Sequence, residues 1–265
     1  MVKEFNDKNE WAVILGASSG LGWATAKKLA QHGLNLCLVY RARKADLEPI
    51  ELKFESLKKE HGVQVIHFNQ DATRPEKREE ILANLQSQGN EAKVKVLVHS
   101  IAKGNLKPMV SADIPTLQND DFHLTLENMA FSLYDWVQAI FKRELFSQDA
   151  RVISFTSMGN VRAWQNYAAV SAAKVALEAI TRSIALEFAP FGIKANCIEA
   201  GITDTNSFRM IPGHEKLKEF ATRQNPSGRM TTPEDVANVI YLLCKEEAKW
   251  ITGAIIPVNG GEHLR

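Results

Sequence analysis

Long apolar runs are missing from this chain. No stretch of about 18 or more apolar residues occurs, so a transmembrane helix is not expected. Met1 to Glu10 is polar, carries both signs of charge and lacks the apolar centre of a secretory signal. Cysteine is scarce: Cys37, Cys197 and Cys244 are far apart, have no CxxC spacing and sit among apolar neighbours. Such cysteines behave as small hydrophobes, and their odd count with the polar start fits a reducing cytoplasm better than a disulfide scaffold, which predicts a cytoplasmic protein. An excess of one charge is also missing. Lys plus Arg total 32 against 31 Asp plus Glu, and the basic residues are dispersed, so no nucleic-acid footprint and no membrane partner are expected. The seven histidines show no HExxH or other ligand spacing, which argues against a metal site, and His99 reads as a sheet-end residue. Repeats, linkers and low-complexity tracts are absent, which predicts one domain over residues 1–265.

What is present is alternation. Short branched-residue runs at Trp11–Leu15, Leu34–Tyr40, Val63–Phe68, Val94–His99, Arg151–Phe155, Ile193–Ile198 and Ala254–Val258 read as strands. Helical stretches separate them: Ser19–His32, stopped by Gly33, then Asp46–Glu60, stopped by His61-Gly62, then Pro75–Gln86, and a long helix opening at Tyr167. With 45% hydrophobic residues to fill a core, the pattern predicts a single-domain, Rossmann-like, doubly wound parallel α/β sheet with helices on both faces. The least regular stretches are Lys103–Asp120 and Thr203–Pro226, read either as lids over a site or as plain surface excursions.

The first strand-to-helix turn reads Gly16-Ala-Ser-Ser-Gly20-Leu-Gly22. Gly16 permits a tight turn, Gly20 admits a pyrophosphate close to the backbone, and Gly22 allows close helix packing. The helix start then offers free amides and a positive dipole end to phosphates. An acidic residue that would hold a free ribose 2′-hydroxyl is lacking after the second strand, where Tyr40-Arg41-Ala42-Arg43-Lys44 stands instead. Cations there favour a 2′-phosphate, hence NADPH, with Arg41 and Arg43 as contacts; the alternative is a set of solvated cations. Asp71, after the third strand, is placed either to accept from an adenine amino group or to cap the next helix.

Tyr167-Ala-Ala-Val170-Ser-Ala-Ala-Lys174 opens the long helix, with Asn166 as a candidate cap. A seven-residue offset falls about 20° short of two helical turns, so Tyr167 and Lys174 share a face if both are helical. The ammonium would then favour the phenolate and lower the tyrosine pKa, suiting Tyr167 to proton donation toward a carbonyl. Otherwise the pair is a half-buried aromatic and a solvated cation.

The glycine turn, the Tyr-Lys helix, Glu199-Ala-Gly-Ile-Thr-Asp-Thr205 and Val258-Asn-Gly-Gly261 together resemble the short-chain dehydrogenase/reductase family over about Trp11 to Gly261. In most members the tyrosine lies four residues before the lysine, where this chain has Val170. The Tyr-x6-Lys spacing is instead similar to the enoyl-acyl carrier protein reductases. So is Val98-His99-Ser100-Ile101-Ala102, which replaces the usual Asn-Asn-Ala-Gly. Ser157-Met-Gly-Asn-Val-Arg-Ala-Trp-Gln-Asn-Tyr167 and Arg223-Gln-Asn-Pro-Ser-Gly-Arg-Met230 look most like the NADPH-preferring branch of those enzymes. Many enoyl reductases carry a second tyrosine ten residues before the first; Ser157 stands there, at the place of the wider family's catalytic serine.

The resemblance implies reduction of a trans-2-enoyl thioester, carried on acyl carrier protein or CoA, in fatty acid synthesis. Tyr167 and Ser157 would face the thioester oxygen and Lys174 would hold the cofactor ribose. Cofactor contacts are implied at Gly16, Ser18, Ser19, Gly20, Leu21, Gly22, Arg41, Arg43, Asp71, Ala72, Ser100, Ile101, Ala102 and Lys174. Gly201, Ile202 and Thr203 would take the nicotinamide amide, with Thr205 near the pyrophosphate. The segment 203–226, with Phe208, Met210 and Ile211, would cover an acyl chain or pack in the ordinary way. The resemblance also implies a homotetramer, with the Tyr167 helix as an interface unless it packs within one subunit. Two other functions stay open: a carbonyl or 3-oxoacyl reductase with a displaced tyrosine, and a non-catalytic cofactor-binding protein.

Overall fold

In the computed structural model, which describes residues 3–6, 8–89 and 91–264, the expected strands form one parallel sheet. They are β1 Glu10–Leu15, β2 Asn35–Tyr40, β3 Val65–Asn69, β4 Lys93–His99, β5 Phe146–Thr156, β6 Ile193–Ala200 and β7 Ile255–Val258. Their order is β3-β2-β1-β4-β5-β6-β7. The helices are α1 Gly20–Gln31, α2 Leu47–His61, α3 Pro75–Gln86, α4 Asn119–Leu126, α5 Ser132–Lys142, α6 Ala168–Glu187, α7 Asn206–Arg209, α8 His214–Gln224 and α9 Pro233–Cys244.

Strand periodicity divides the core into two layers. Trp11, Val13 and Leu15 of β1 pack on the face covered by Ile81 of α3, Trp136 and Ile140 of α5, and Leu177 and Ile184 of α6. Ala12 and Ile14 face the other layer, with Leu29 of α1, Phe54 of α2 and Ile240 of α9. Burial on both faces is why these strands read as continuous apolar runs. The strand order reverses between β1 and β4, and the carboxyl ends of those strands open the crevice in which such sheets bind ligands.

Two expectations change. The segment after Thr203 is not irregular: α7 and α8 lie within it. Strand β5 begins at Phe146 rather than Arg151, because its pairing with β4 skips from Val94–Phe146 to Val96–Arg151. Among the described residues, no helix is long and apolar enough to cross a membrane.

Candidate active site

A cleft of about 760 Å³ runs along the carboxyl ends of the strands. Of the catalytic and cofactor-contact residues singled out in the sequence, Gly22 and Arg43 do not line it; the others do. Gly22 is buried behind the turn, where a Cβ would sit 2.3 Å from the Gly16 carbonyl oxygen. Arg43 is exposed and precedes a short 3-10 turn at Lys44–Asp46.

The β1–α1 turn fits a pyrophosphate. Gly16 has a left-handed φ of +84°, and a Cβ there would meet the Ser100 carbonyl oxygen at 2.3 Å, so glycine alone brings this turn against the end of β4. At Gly20 (φ +55°) the nearest atom to a Cβ would be Thr205 Cγ2 at 3.3 Å, which sets Thr205 over the turn. Ser19, the N-cap of α1, makes no side-chain cap hydrogen bond, and the first turn holds no acidic residue. The positive end of α1 therefore faces the cleft without a neutralising group of its own.

At the end of β2 and β3, Arg41 Nη1 donates to Asp71 Oδ2 at 3.0 Å. Asp71 Oδ1 accepts from the Thr73 amide (3.1 Å) and hydroxyl (2.7 Å). Burial works to raise the Asp71 pKa. The Thr73 hydrogen bonds, with Lys103 and Arg41, outweigh it and hold the carboxyl below its ordinary value. Asp71 does not cap α3: the N-cap is Arg74, and the Asp71 side chain closes the preceding turn instead.

Tyr167 is the N-cap of α6, at φ −111° and ψ 0°, just outside the helix. The expected cap, Asn166, lies in the left-handed region at φ +63° instead. Tyr167 Oη is 3.4 Å from Ser157 Oγ. Lys174 is buried and points its Nζ at the Phe155 carbonyl oxygen, 2.6 Å away. The electrostatics differ from the spacing argument. Burial raises the Tyr167 pKa above its ordinary value, opposed by the Ser157 hydrogen bond. Burial lowers Lys174 to about 8, opposed in part by its neighbours Cys197 and Glu178. Val170 is buried with Met129 and Ala173, and its Cγ2 would be 3.0 Å from a Cβ on Gly104.

Several cleft residues escaped the sequence reading. Asn128 lies in a π-helical turn, Glu127–Phe131, and donates from Nδ2 to the Leu124 carbonyl at 2.8 Å. Such turns inside helices often mark functional sites, but nothing in the local sequence announces one. Glu262, from the C-terminal turn, is buried in the cleft wall and its Oε2 accepts the Ile202 amide at 3.1 Å. Burial raises its pKa. The Ile202 amide, expected to serve the nicotinamide, is thus engaged within the protein. Trp164 and Phe220 meet edge to face at 6.1 Å, joining the loop before α6 to α8. Both line the cleft, as do Phe208 and Ile211, whereas Met210 is exposed.

His99 ends β4, buried, with Nε2 2.8 Å from Ser132 Oγ; burial lowers its pKa to about 3, so it is neutral. The cysteines are free and buried, and burial pushes Cys197 and Cys244 up to about 11 and about 12. Among the described residues, no three His, Cys, Asp or Glu side chains group in a way that would hold a metal.

Known proteins similar to this chain share its family and fold. Residues 16–263 match the family model described as enoyl-(acyl carrier protein) reductase. A 3-oxoacyl-(acyl-carrier-protein) reductase FabG of Pseudomonas aeruginosa is 29% identical over 257 residues, 96% of this chain and 97% of the relative. A 7alpha-hydroxysteroid dehydrogenase of Paraclostridium sordellii is 26% identical over 258 residues, 97% of this chain and 93% of the relative. The crystal structure of FabI from Candidatus Liberibacter asiaticus superposes with a TM-score of 0.84 at 22% identity, covering 100% of this chain and 98% of that one, and shows the same fold. The chain belongs to the short-chain dehydrogenase/reductase family, oxidoreductases of nicotinamide cofactors, within the group described as enoyl-(acyl carrier protein) reductase.

Proposed function

We propose that this protein reduces the double bond of a trans-2-enoyl thioester, carried on acyl carrier protein or CoA, with NADPH as cofactor. The observation that carries this reading is the placement of hydroxyls. Tyr167 and Ser157 present theirs to the cleft, 3.4 Å apart, while residue 170, the usual tyrosine position, is a valine buried in an apolar wall.

When bound, the nicotinamide supplies the hydride, which goes to the β-carbon. Negative charge then collects on the thioester oxygen as an enolate, and a proton taken from solvent water adds to the α-carbon to give the saturated thioester. Tyr167 donates a hydrogen bond to that oxygen and Ser157 offers a second. Lys174 holds the ribose and contributes positive potential from within the wall. The segment 203–226 covers the acyl chain, with Phe208, Ile211 and Phe220 on its cleft side. As a homotetramer the protein would use outward residues of α6 such as Val175 and Leu186, since Ala169, Ala173 and Leu177 pack within the subunit.

The test is NADPH oxidation with crotonyl-CoA and acetoacetyl-CoA in parallel. Turnover of crotonyl-CoA alone supports the proposal. Turnover of acetoacetyl-CoA alone overturns it in favour of a 3-oxoacyl reductase, the reading that the names of relatives such as the Pseudomonas enzyme favour. Turnover of neither, with NADPH still bound, leaves the non-catalytic reading standing.

NADPH preference is assigned to Arg41. Its side chain is 64% exposed and gives one of its five donors to Asp71, leaving the others for a 2′-phosphate. Arg41→Ala should raise the NADPH dissociation constant about 10- to 100-fold, the range for a lost hydrogen bond to a charged group, and leave NADH unchanged. Arg43→Ala should do less, since Arg43 stands outside the cleft lining. Fluorescence titration with both cofactors decides, and equal losses for NADH and NADPH would refute the assignment.

A further inference from the structure

We infer that Glu178 is a positioning residue for Tyr167: its buried carboxylate clamps the turn on which the tyrosine ring rests, and so fixes where the phenol hydroxyl points. For its effect on turnover the inference rests on the reductase reading above; the clamp itself does not.

Tyr167 needs such a device. It stands outside the α6 hydrogen-bonded helix, after a residue of left-handed φ, so the helix alone does not fix its ring. The ring lies against the 3-10 turn Met158–Asn160 that follows Ser157. A Cβ on Gly159 would be 2.4 Å from Tyr167 Cε1, leaving no room between turn backbone and ring. Where the turn goes, the ring goes.

Glu178 holds both ends of that turn. It lies one helical turn after Lys174, 7% exposed. Its Oε1 accepts from the Thr156 hydroxyl at 2.5 Å and from Asn160 Nδ2. Thr156 is the last residue of β5, immediately before Ser157, and Asn160 closes the turn, whose amide bonds back to the Ser157 carbonyl at 3.1 Å. One carboxylate oxygen thus ties the serine-bearing segment to the helix that carries Lys174. An ionised carboxylate is acceptor-only, so it takes both donors without a hydroxyl or amide of its own to satisfy. Without it, the buried Thr156 hydroxyl and the half-buried Asn160 amide would lose their acceptor and the turn would have no tether to α6.

The experiment compares Glu178→Ala, Glu178→Gln and Asn160→Ala. It measures kcat with crotonyl-CoA, NADPH affinity, and hydrogen exchange of the 157–161 amides in the cofactor-free protein. In Glu178→Ala, kcat should fall about tenfold or more, since small misplacements of a reacting group cost that much, with NADPH affinity within about twofold. Exchange at 157–161 should quicken about tenfold while the central strands keep their protection. Glutamine keeps an oxygen that can accept both bonds and should return kcat and exchange to within about threefold of wild type. Asn160→Ala should show the same pattern in smaller measure, and serves alone if Glu178→Ala does not fold. Added to Glu178→Ala it should cost nothing more, because both remove the same tether.

Wild-type exchange at 157–161 in Glu178→Ala overturns the inference. So does a glutamine variant as impaired as the alanine one, since charge rather than tethering would then be at work. If the wild-type protein reduces neither thioester, the reductase reading fails while the exchange arm still decides the clamp.

Discussion

Tyr167→Phe should lower kcat for crotonyl-CoA reduction by about 10²–10³-fold, the loss usual for one oxyanion donor, with NADPH affinity unchanged. The substitution removes only the hydroxyl. The phenyl ring keeps its contact with Gly159, so the turn and the fold have no reason to change. Burial raises the Tyr167 pKa, so the phenol remains a donor through neutral pH and does not ionise in the working range. The group that titrates first is Lys174, brought to about 8 by burial. Its charge is present below that value and lost above it. Activity of the wild type should therefore fall on the alkaline side from about pH 8. Ser157→Ala should cost less than Tyr167→Phe, because its hydroxyl is the second donor in the proposal. The measurement is steady-state kinetics of the wild type and both variants from about pH 6 to about 10. A Tyr167→Phe enzyme within about threefold of wild type would remove the tyrosine from the proposed chemistry.

The parts of this site visible in the sequence are those that depend on local geometry. The glycine turn sits at the end of β1 because Gly16 and Gly22 approach backbone too closely for any side chain. That requirement is written in single letters. The inner strands were legible because burial on both faces demands uninterrupted apolar runs, while the edge strands β3 and β7 are only partly buried. Strand β5 was read short at its start because Ser147-Gln148-Asp149 breaks the apolar pattern where the chain jumps register against β4. Within residues 119–142, Leu126, Met129, Leu133, Trp136, Val137 and Ile140 carry a helical period, so these helices are also legible in the sequence. Helix α8 escaped the reading. Of its residues only Ala221 is fully buried, so the sequence shows no deep apolar stripe. The Tyr167–Lys174 relation was misjudged because the spacing argument assumes both residues are helical, and Tyr167 is not. Spacing also carries no information about burial. Burial, not the lysine, dominates the tyrosine pKa, and the lysine ammonium goes to the Phe155 carbonyl. Glu178 and Glu262 were invisible for the same reason: each meets its partners only through the tertiary fold.

Asp149→Ala should destabilise the protein by about 3–5 kcal/mol, the usual cost of stranding a buried charge. Arg151 is fully buried in β5, the site of that charge. Its guanidinium donates to the Leu243 carbonyl at 2.6 Å and to the Lys245 carbonyl at 3.1 Å, which fastens β5 to the end of α9. Its only anionic partner among the described residues is Asp149, met by two bonds at 2.6 and 3.0 Å. The same carboxylate takes Lys194 at 2.7 Å and Lys95 at 2.9 Å. Lys95 reaches it from the point where the β4–β5 register shifts. One anion therefore serves three cations, and alanine leaves all three without it. At about 2–4 °C per kcal/mol for a chain of about this length, Tm should drop roughly 6–20 °C. The pH dependence has a definite sign. Burial works to raise the Asp149 pKa, but hydrogen bonds from Arg151, Lys194 and Lys95 outweigh it and hold the carboxyl far below the usual range. Its contribution is thus complete above the unfolded value of about 3.9 and is lost as pH falls toward the folded one. Wild-type Tm should decline below about pH 4, and the Asp149→Ala curve should be flatter there. Asp149 lies near the start of β5 and Ser157 just beyond its other end, so kcat per folded molecule should not change at temperatures below both melting points. A Tm within about 1 °C of wild type would mean that Arg151 is adequately held by carbonyl oxygens alone, which its burial argues against.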